Sequence, residues 1–559
     1  MKTSKRILAA LLALMLVLSL AACAKTPASS TAPTESKDST SQEEKSYYNK
    51  EGLPICNDVI TITVSGVNNG HNEWDKTVFV KEVRERLGIQ WDSTPYEKDA
   101  WDSQFALMLS NDRLPDLLVS ASVNKTQLDQ YGKEGFILNL NDYMDLMPNV
   151  KAMDTEMPAY LKYFRSPDGS LYGLGSGTTS LVSRALVGYS WLPKKWLKNV
   201  GMEVPNTVEE LYQVLKAFKE KDANGNGDPN DEIPMSMTFG VQCAQRAEWG
   251  MKFAFGLYSI ESDYQLFVDN DKVNIYETTD NYRKYLTFLN KLWSEGLMDA
   301  ETFTQSSAEY RDKVASDRIG YGGDWAGLEY SLGKSTADNV WNDYDMIMTF
   351  ESEVDKGRFF ALGDGLNAGT NYFVSAKTKY PEAIARMTDY WFTDEGKLLL
   401  KFGVEGESFD YEPEDEFGVK DITTANYDKT LGYLVNVLWT NIAFGKEAAV
   451  VSADKATLEK MKANPRYFEY ASEVSFLNDA TIVDAYPTVS FTAEEGKERV
   501  SLSTDIKLYI QQMHTSFING QVELTDKNWN DFQAKMNEMG LPRLLEIEQA
   551  AYDRLMKNS

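Results

Sequence analysis

Hydrophobic and polar positions alternate with two different periods along the chain from residue 58 onward. The stretch "DVITITVSG" has the period of two that predicts a β-strand, and "WDKTVFVKEVRERLG" has a helical period ending at Gly88. A second strand is predicted at "IQWDSTPY", a second helix at "DAWDSQFALMLSND" and a third strand at "LPDLLVSAS". This βαβαβ order predicts a parallel, twisted sheet with right-handed crossovers.

The loops that follow these strands are the expected ligand positions. In open α/β sheets, ligands bind beyond the carboxyl ends of the strands. The two loops concerned are "GVNNGHNEW" at 66–74 and "SASVNK" at 120–125. The first loop lacks a glycine-rich phosphate fingerprint, so the sequence does not predict a nucleotide site.

A second alternating unit starts near residue 185 with "ALVGYSWLPKKWLKNVG", followed by "VPNTVEELYQVLKAFKEK". In the second stretch, Thr207 and Glu210 form a capping-box pattern at the start of a predicted helix. The apolar face of that helix consists of Val208, Leu211, Leu215 and Phe218. Further helices are predicted at 280–294, 380–392, 455–462, 495–518 and 527–538.

The first residues have the pattern of an export signal. "MKTSKRILAALLALMLVLSLAAC" begins with basic residues and continues with an apolar run that is too short for the bilayer core. Residues 20–23, "LAAC", resemble the end of a bacterial lipoprotein signal, in which Cys23 is lipidated and becomes the mature N-terminus. Two or more acyl chains make such attachment stable. The alternative is an ordinary secretory signal that happens to end beside a cysteine.

The segment after Cys23 is rich in Ser, Thr, Pro and charged residues. Such a composition cannot bury enough apolar surface to fold. Residues 1–22 are therefore predicted to be the signal peptide, and residues 23–55 the lipidated cysteine and a disordered tether to a folded body.

The loop "KDANGNGDPNDEIP" at 221–234 has the spacing of a calcium-binding loop. Asp222, Asn224 and Asn226 take the first, third and fifth positions, Gly227 takes the sharp turn, and Asp228 offers its backbone carbonyl. All of these donors are hard oxygens, which suit calcium better than zinc or iron. The predicted cofactor is a structural Ca²⁺ ion.

This loop departs from an EF-hand at its end. Ile233 occupies the position of the usual glutamate, and "IPMSMTF" predicts a strand in place of an exiting helix. The missing acidic ligands are expected from Asp231, Glu232 or both. The alternative interpretation is an ordinary Gly/Asn/Asp turn between a helix and a strand.

Charge and residue counts exclude several classes of function. The formal net charge of -27 repels phosphate backbones, so no nucleic-acid partner is predicted. The chain has only two histidines, His71 and His514, which argues against Ser/His/Asp and Cys/His triads and against His-based zinc sites. Apart from Cys23, the cysteines Cys56 and Cys243 are either one disulfide or two buried thiols.

Several stretches together resemble the lipid-anchored extracellular solute-binding proteins of bacterial ABC importers, family 1, which include oligosaccharide binders. The matching stretches are "LAAC" at 20–23, the segment 196–234, "LWSEGLMDAETF" at 292–303, "DRIGYGGDW" at 317–325, "FGVEGE" at 402–407 and "YPTVSFTAEE" at 486–495. The tail from 505 onward also resembles the closing helices of that family.

The resemblance implies a fold of class α/β, two-lobed and periplasmic-binding-protein-like (type II), with a mixed sheet flanked by helices in each lobe and hinge segments between them. It places the N-terminal lobe at 56–185 and about 352–400, and the C-terminal lobe at 186–351 and about 401–559. It also implies a calcium loop at 222–232 similar to that of alginate-binding members. At 191–197, "WLPKKWL" lacks the Arg and Asp that members often carry before the tryptophan.

Residue chemistry and resemblance lead to the same expectation for a ligand site. Sugars present apolar CH faces and rings of hydroxyls, so their sites combine aromatic rings with polar side chains. For each candidate tryptophan the alternative is a core position. Asp324 and Trp325 are the preferred pair, because the flanking glycines of "YGGDWAG" suggest an exposed turn. The predicted ligand residues are Asp324, Trp325, Trp74, Asn69, His71, Trp249 and Arg246.

The predicted function is capture of an oligosaccharide in the cleft between the lobes and its delivery to an ABC permease, by a monomer anchored at the extracellular face of the bacterial cytoplasmic membrane. Hinge closure is the expected mechanism, and no enzymatic activity is predicted. The alternatives are a binding protein for peptides or another solute, a surface glycoside hydrolase with paired carboxylates, and a structural or adhesive lipoprotein without a cleft.

Overall fold

The computed structural model describes residues 46–68, 73–175, 177–178, 190–239, 246–259, 264–324, 327–334, 339–363, 366, 370–423, 440–441 and 445–557. Backbone contacts divide the chain into Met1–Ser46 and Tyr47–Ser559. All of the strands and helices named below belong to the second unit.

The strands are short and alternate with helices along most of the chain. They are β1 (Ile60–Asn68), β2 (Ile89–Glu97), β3 (Leu117–Val123), β4 (Gly177–Thr178), β5 (Ser190–Pro193), β6 (Ile233–Met235), β7 (Leu266–Asp269), β8 (Lys272–Ile275), β9 (Ile319–Gly323), β10 (Tyr344–Ile347), β11 (Phe359–Leu362), β12 (Thr370–Val374), β13 (Asp410–Tyr411), β14 (Ile422–Thr423), β15 (Thr440–Asn441) and β16 (Thr481–Asp484).

The described helices vary in length from four to 26 residues, and the longest lies near the C-terminus. They are α1 (Val78–Glu82), α2 (Lys98–Ser110), α3 (Lys125–Lys133), α4 (Pro148–Glu156), α5 (Ala159–Phe164), α6 (Lys194–Val200), α7 (Val208–Glu220), α8 (Arg246–Ala254), α9 (Asp280–Ser294), α10 (Ser307–Ala315), α11 (Leu328–Ser331), α12 (Pro381–Tyr390), α13 (Asp394–Phe402), α14 (Gly445–Ser452), α15 (Lys455–Lys462), α16 (Phe468–Asp479), α17 (Ala493–Ile518), α18 (Asp526–Glu538) and α19 (Leu541–Lys557). A π-helical turn, Val83–Leu87, extends α1, and short 3₁₀ turns lie at Trp74–Lys76, Leu140–Leu146, Tyr276–Thr278 and Val340–Asn342.

The first sheet has the order β12-β3-β1-β2. β1 runs parallel to both β2 and β3, which confirms the parallel βαβαβ unit, and β12 adds an antiparallel edge. Gly66 is required in β1, because a Cβ there would lie 1.6 Å from the carbonyl oxygen of Val119 in β3. Gly88 ends the first helical segment in a left-handed conformation, with φ of 75°, as the sequence predicts.

The second sheet has the order β10-β5-β9-β6. β6 and β9 are parallel, whereas β5 is antiparallel to both β9 and β10. Each sheet has its own hydrophobic core. One core combines residues between Ile55 and Leu174 with residues between Tyr372 and Leu400, and the other combines residues between Trp191 and Phe350 with residues between Ile506 and Tyr552. The fold is thus a two-lobed α/β arrangement of mixed sheets flanked by helices.

The helices predicted from apolar spacing are present at the predicted places. α7 begins with the predicted capping box, in which the Glu210 backbone N–H donates to Thr207 Oγ1 at 3.1 Å and Glu210 Oε2 accepts from the Thr207 N–H. The predicted helices 280–294, 380–392, 455–462, 495–518 and 527–538 correspond to α9, α12, α15, α17 and α18.

The predicted tether extends too far into the chain. The Tyr47 hydroxyl donates to Glu382 of α12, and Arg386 of the same helix donates to the carbonyl oxygens of Asn49 and Gly52, the latter at 2.9 Å. Residues 47–55 therefore pack on α12 and belong to the folded unit, because their aromatic and backbone groups find partners there. The lobe boundaries inferred from the resemblance remain a prediction.

Candidate ligand site and calcium loop

The carboxyl ends of β6 and β9 converge at one edge of the second sheet. The two strands are parallel, with Met235 opposite Tyr321, so their C-terminal loops leave the sheet at the same edge. The Tyr321 hydroxyl donates to the Ala247 carbonyl oxygen at 2.9 Å and so fixes the start of α8 beside the end of β9. This edge thus places the start of α8, the helix that carries Trp249, beside the strand that ends at Asp324.

Asp324 is fully buried directly after β9. Arg311 of α10 donates to both of its carboxylate oxygens, at 2.7 Å and 3.2 Å, and the Ser331 hydroxyl donates at 2.8 Å. The prediction that Asp324 lies in an exposed turn is therefore wrong, because its carboxylate is buried against the Arg311 guanidinium. Trp325, its predicted partner, lies outside the described residues.

Trp249 is 8% exposed and packs with Phe253, Phe360 and Leu477. Its neighbour Glu248 accepts a hydrogen bond from the Tyr285 hydroxyl at 3.0 Å, and burial raises the pKa of this carboxyl. In this structure the Trp249 ring is covered by apolar side chains, as in the core alternative. Arg246 is the first residue of α8, and its side chain lies outside the described part of the chain.

The first sheet contributes a second set of predicted positions at the end of β1. Asn68 is buried, and its amide donates to Glu97 Oε1 at the end of β2, at 2.8 Å. Trp74, 3% exposed, packs in the core of the first sheet. Asn69 and His71 lie outside the described residues. Trp74 is therefore a core residue in this structure, and its ring is not exposed at the end of β1.

One aromatic residue that the sequence reasoning missed lies on the surface beside Asp324. Tyr330 of α11 is 59% exposed, and the Arg311 guanidinium carbon lies 4.5 Å from the centre of its ring. The signal available in the sequence was an aromatic residue five positions beyond Trp325, following the "DWAG" turn. This aromatic residue alone did not indicate a surface site, because its position depends on Arg311, which lies in another helix.

The predicted calcium loop connects α7 to β6, so the helix-to-strand exit predicted from the sequence is confirmed. Side-chain oxygens of the loop accept hydrogen bonds from its own backbone N–H groups. Asp222 accepts from the backbone N–H groups of Asn226 (3.0 Å) and Gly227 (2.9 Å), Asn224 from that of Asn226 (2.9 Å), and Asn226 from that of Asp228 (2.8 Å). These bonds gather the side-chain oxygens of 222, 224 and 226 on the inside of one turn.

The acidic end of the loop closes against its amide end. Asp231 accepts from the amide groups of Asn224 (3.2 Å) and Asn226 (2.8 Å), and Glu232 Oε1 accepts from the Asn224 backbone N–H at 3.3 Å. The second carboxylate oxygen of Glu232 is buried and has no hydrogen-bond partner. An unsatisfied buried carboxylate oxygen costs free energy that a cation would recover. The all-oxygen donor set therefore fits a hard divalent cation.

Within the part of the chain that the structure describes, no three His, Cys, Asp or Glu side chains converge closely enough to hold a metal ion by themselves. Two of the predicted donors in the 222–232 loop, Asn224 and Asn226, are amides and so do not belong to those residue types. The Asp228 carboxylate accepts from the Asn230 backbone N–H at 3.1 Å, so its backbone carbonyl remains the predicted donor.

Two features bear on export and redox state. Cys23 lies outside the described residues, and no helix among those described is both long and apolar enough to cross a bilayer. Cys56 is a buried free thiol, and burial raises its pKa to about 11. Its predicted possible partner, Cys243, also lies outside the described residues.

Comparison with known proteins gives matches along most of the chain. No protein-family model matches. The fructooligosaccharide ABC transporter substrate-binding protein FusA of Streptococcus pneumoniae is 25% identical over 496 residues, which cover 87% of this chain and 88% of FusA. Lipoprotein LipO of Bacillus subtilis is 25% identical over 341 residues, or 60% of this chain and 64% of LipO.

The fold comparison agrees with the sequence comparison. The structure of FusA in complex with kestose superposes with a TM-score of 0.67 at 22% identity, covering 89% of this chain and 100% of FusA. A FusA EF-hand mutant in complex with fructo-nystose gives a TM-score of 0.65 at 22% identity, with the same coverage. The chain is thus similar to ABC-transporter substrate-binding proteins over most of its length and has the same fold as FusA, in agreement with the resemblance seen in the sequence motifs.

Proposed function

We propose that this protein binds an oligosaccharide in the cleft between its lobes and delivers it to the permease of an ABC importer. The observation that carries the proposal is the match to FusA, which extends over 87% of this chain and is supported by a TM-score of 0.67. A relation that spans both lobes preserves the architecture on which cleft binding and hinge closure depend.

The ligand contacts are assigned to the edge where β6 and β9 end and to the ends of β1 and β3. At the first of these, Asp324 positions Arg311 and does not itself meet the ligand. The residues proposed to contact the sugar are Trp325, Asn69, His71, Trp249, Trp74 and Arg246. Trp249 and Trp74 are both buried among apolar side chains in this structure, so this role requires local repacking around each ring.

We infer that no reaction is catalysed. FusA, the named relative with a stated role, is a substrate-binding protein, and the half-buried His514 ring lies against Phe239 with its Nδ1 2.7 Å from the Tyr282 hydroxyl. Burial lowers the pKa of His514 to about 3, so the imidazole cannot take a proton at neutral pH. The protein therefore acts by differential affinity for its ligand in the open and closed states.

A structural Ca²⁺ ion is proposed for the 222–232 loop. Asp222, Asn224, Asn226, the Asp228 carbonyl and one or both of Asp231 and Glu232 would hold it. The ion would neutralise the clustered carboxylates and fix the connection between α7 and β6. The EF-hand of FusA, named in the mutant complex, supports a site of this kind.

Lipid attachment at Cys23 and an extracellular, membrane-anchored location are proposed from the signal at residues 1–22. The existence of a lipoprotein relative, LipO, supports this location. A monomer is proposed, since capture and delivery need only one cleft.

The proposed function is tested by differential scanning fluorimetry of residues 24–559 with a panel of neutral and acidic oligosaccharides that includes kestose, together with a matched peptide panel. We expect one oligosaccharide class to raise the melting temperature, because a ligand that binds only the native state stabilises it. A response to peptides alone would reassign the solute. Release of shorter sugars from a stabilising glycan at stoichiometric protein would indicate a hydrolase and contradict the proposal.

A further inference from the structure

A cavity of about 620 Å³ lies between α16 and the segment that follows β10. Its walls include Phe468, Ser472 and Phe476 of α16, Asp345 of β10, Glu351 and Arg358. This set defines the α16 cavity. Its volume is within the range typical of small-molecule sites. None of the predicted ligand residues belongs to its lining, so it is a separate candidate site.

A buried hydroxyl in this cavity lacks a partner. The side-chain oxygen of Ser472 is inaccessible to solvent and makes no hydrogen bond. Buried polar groups are nearly always hydrogen-bonded, and leaving one unpaired costs about 1–3 kcal/mol. Ser472 sits in the middle of α16, where serine has no helix-capping role, and it lines the cavity, so a rotation of its side chain would present the hydroxyl to a group that enters.

Both signs of charge line the cavity, with three carboxylates (Asp345, Glu351 and Asp479) and two cations (Arg358 and Lys462). Arg358 is held by the side chain of Asn206, to which it donates at 2.6 Å, and the carboxylates of Asp345 and Glu351 line the same space. Burial raises the pKa of Asp345, whose carboxylate lies 3.9 Å from Lys194 Nζ. A strongly cationic or anionic ligand would meet its own charge on one wall. A neutral molecule with many hydroxyls can donate to the carboxylates and accept from the guanidinium.

The cavity also has aromatic walls that could contact the apolar face of a sugar ring. Phe468 and Phe476 lie two turns apart on α16 and both face the cavity. Flat aromatic rings beside hydroxyl and carboxylate groups are the combination that suits a molecule with apolar CH faces and a hydroxyl rim.

The cavity also adjoins the strand pair β11 and β16. α16 leads into β16, whose first backbone N–H, of Thr481, donates to the Arg358 carbonyl at 2.9 Å, and β11 begins at the next residue. Phe476 packs on the cluster that contains Trp249 and Phe360. An occupant of the cavity would therefore hold α16 against the strand pair and the Trp249 cluster.

We propose that the α16 cavity is a second carbohydrate-binding site, which takes a neutral mono- or disaccharide and is distinct from the site at the carboxyl ends of β6 and β9. Ser472, Asp345 and Arg358 bind the sugar hydroxyls, and the two phenylalanines contact its CH faces. Occupancy of this site stabilises the packing of α16 against β11 and β16.

Hydrogen-exchange mass spectrometry of residues 24–559 with glucose, fructose and sucrose tests the site. We expect at least one of these sugars to slow exchange in 468–480 and 345–351. Ser475→Trp fills the cavity from α16 and should abolish the protection. Asn478→Trp, exposed on the same helix and outside the cavity lining, is the matched control and should retain it.

A second variant separates ligand binding from folding. Ser472→Ala removes a hydroxyl that has no partner in the free protein, so the melting temperature without sugar should stay the same or rise. Its affinity for the protecting sugar should fall about tenfold, the value of one hydrogen bond. A structural role for Ser472 predicts the reverse, a lower melting temperature and unchanged affinity.

Three results would overturn the proposal. The first is protection in 468–480 that survives Ser475→Trp, which would indicate an indirect effect of binding elsewhere. The second is no protection of 468–480 by any of the three sugars when each is tested at 50-fold or greater molar excess over the protein, up to millimolar concentrations. The third is protection of the same segment by free amino acids in place of sugars, which would assign the cavity to zwitterions. None of these results affects oligosaccharide binding at β6 and β9, so the two proposals fail separately.

Discussion

The Asp324 carboxylate and the Arg311 guanidinium form a two-point ion pair in which the acid is fully buried. The carbon atom of the same guanidinium lies 4.5 Å from the ring centre of Tyr330. A buried carboxylate at the end of β9 thus controls the position of an aromatic ring on the surface. The relationship explains why an acidic residue in a turn flanked by glycines does not face solvent.

Loss of Arg311 should destabilise the fold. Arg311→Met leaves the Asp324 charge buried without its cationic partner, and we expect the free energy of unfolding to fall by about 3 kcal/mol. Urea denaturation measures the change. The matched control is Lys527→Met, which removes an exposed ion pair with Asp531 and should cost less than about 1 kcal/mol. Equal losses for the two variants would contradict the assignment of Asp324 as a buried, paired charge.

Tyr330 should contribute to oligosaccharide affinity, because it lies on the surface beside the proposed site at the end of β9. Its ring is exposed on the surface and held by Arg311, so ordering it on binding costs little entropy. Tyr330→Ala should weaken binding by about tenfold in isothermal titration, whereas Tyr330→Trp should retain it. Tyr411→Ala, at another exposed tyrosine, is the control. Unchanged affinity in Tyr330→Ala would remove this residue from the site.

Calcium should stabilise the protein through the 222–232 loop. At a calcium concentration about a thousandfold above its dissociation constant, the stabilisation would be about 4 kcal/mol, and a chelator should abolish it. Glu232→Gln should reduce the calcium effect without lowering stability in chelator, because Glu232 Oε2 has no partner to lose. Glu220→Gln, exposed at the end of α7, should behave as wild type. A melting temperature that is insensitive to chelator would identify the loop as an ordinary turn.

His514 should make stability fall in acid. Burial lowers its pKa from the ordinary 6.5 to about 3 in the folded protein. Between these values the unfolded chain binds one more proton, so the free energy of unfolding decreases as the pH falls below 6.5, by up to about 1.4 kcal/mol per pH unit. Above pH 6.5 this contribution is fully present.

Denaturation at pH 7 and pH 5 measures the effect. His514→Gln, which keeps an acceptor for the Tyr282 hydroxyl, should lose less stability than wild type between these two values. Glu277 acts in the opposite direction, because burial raises its pKa to about 8, so only the difference between wild type and variant reports His514. His71→Gln is the control at the other histidine. Parallel pH profiles for wild type and His514→Gln would contradict the prediction.

Cys23 should determine whether the protein stays with the membrane. Cys23→Ser removes the thiol that would be lipidated, and we expect the protein to move from the membrane fraction to the medium. Ser30→Ala, within the predicted tether, should remain in the membrane fraction. Retention of the Cys23→Ser protein after washing at high salt would argue for an ordinary signal and another mode of attachment.

The sequence by itself determined the elements and much of their order. The alternation in β1 and β2 and the capping boxes of α7 and α17 are local signals, because side-chain period and end-capping depend on residues within a few positions of each other. The candidate donors of the predicted calcium loop could be listed from the sequence for the same reason, because they all lie within one loop. The resemblance to solute-binding proteins extended these local signals to a two-lobed fold.

Only the tertiary structure decided which polar and aromatic residues reach the surface. Glycines around Asp324 suggested exposure, but Arg311, distant from the turn, buries the carboxylate and holds Tyr330 outward. The same applies to Trp74 and Trp249, whose rings are covered by residues from distant segments, and to residues 47–55, which α12 holds on the fold. Burial depends on which segments pack together, and no local pattern records those contacts.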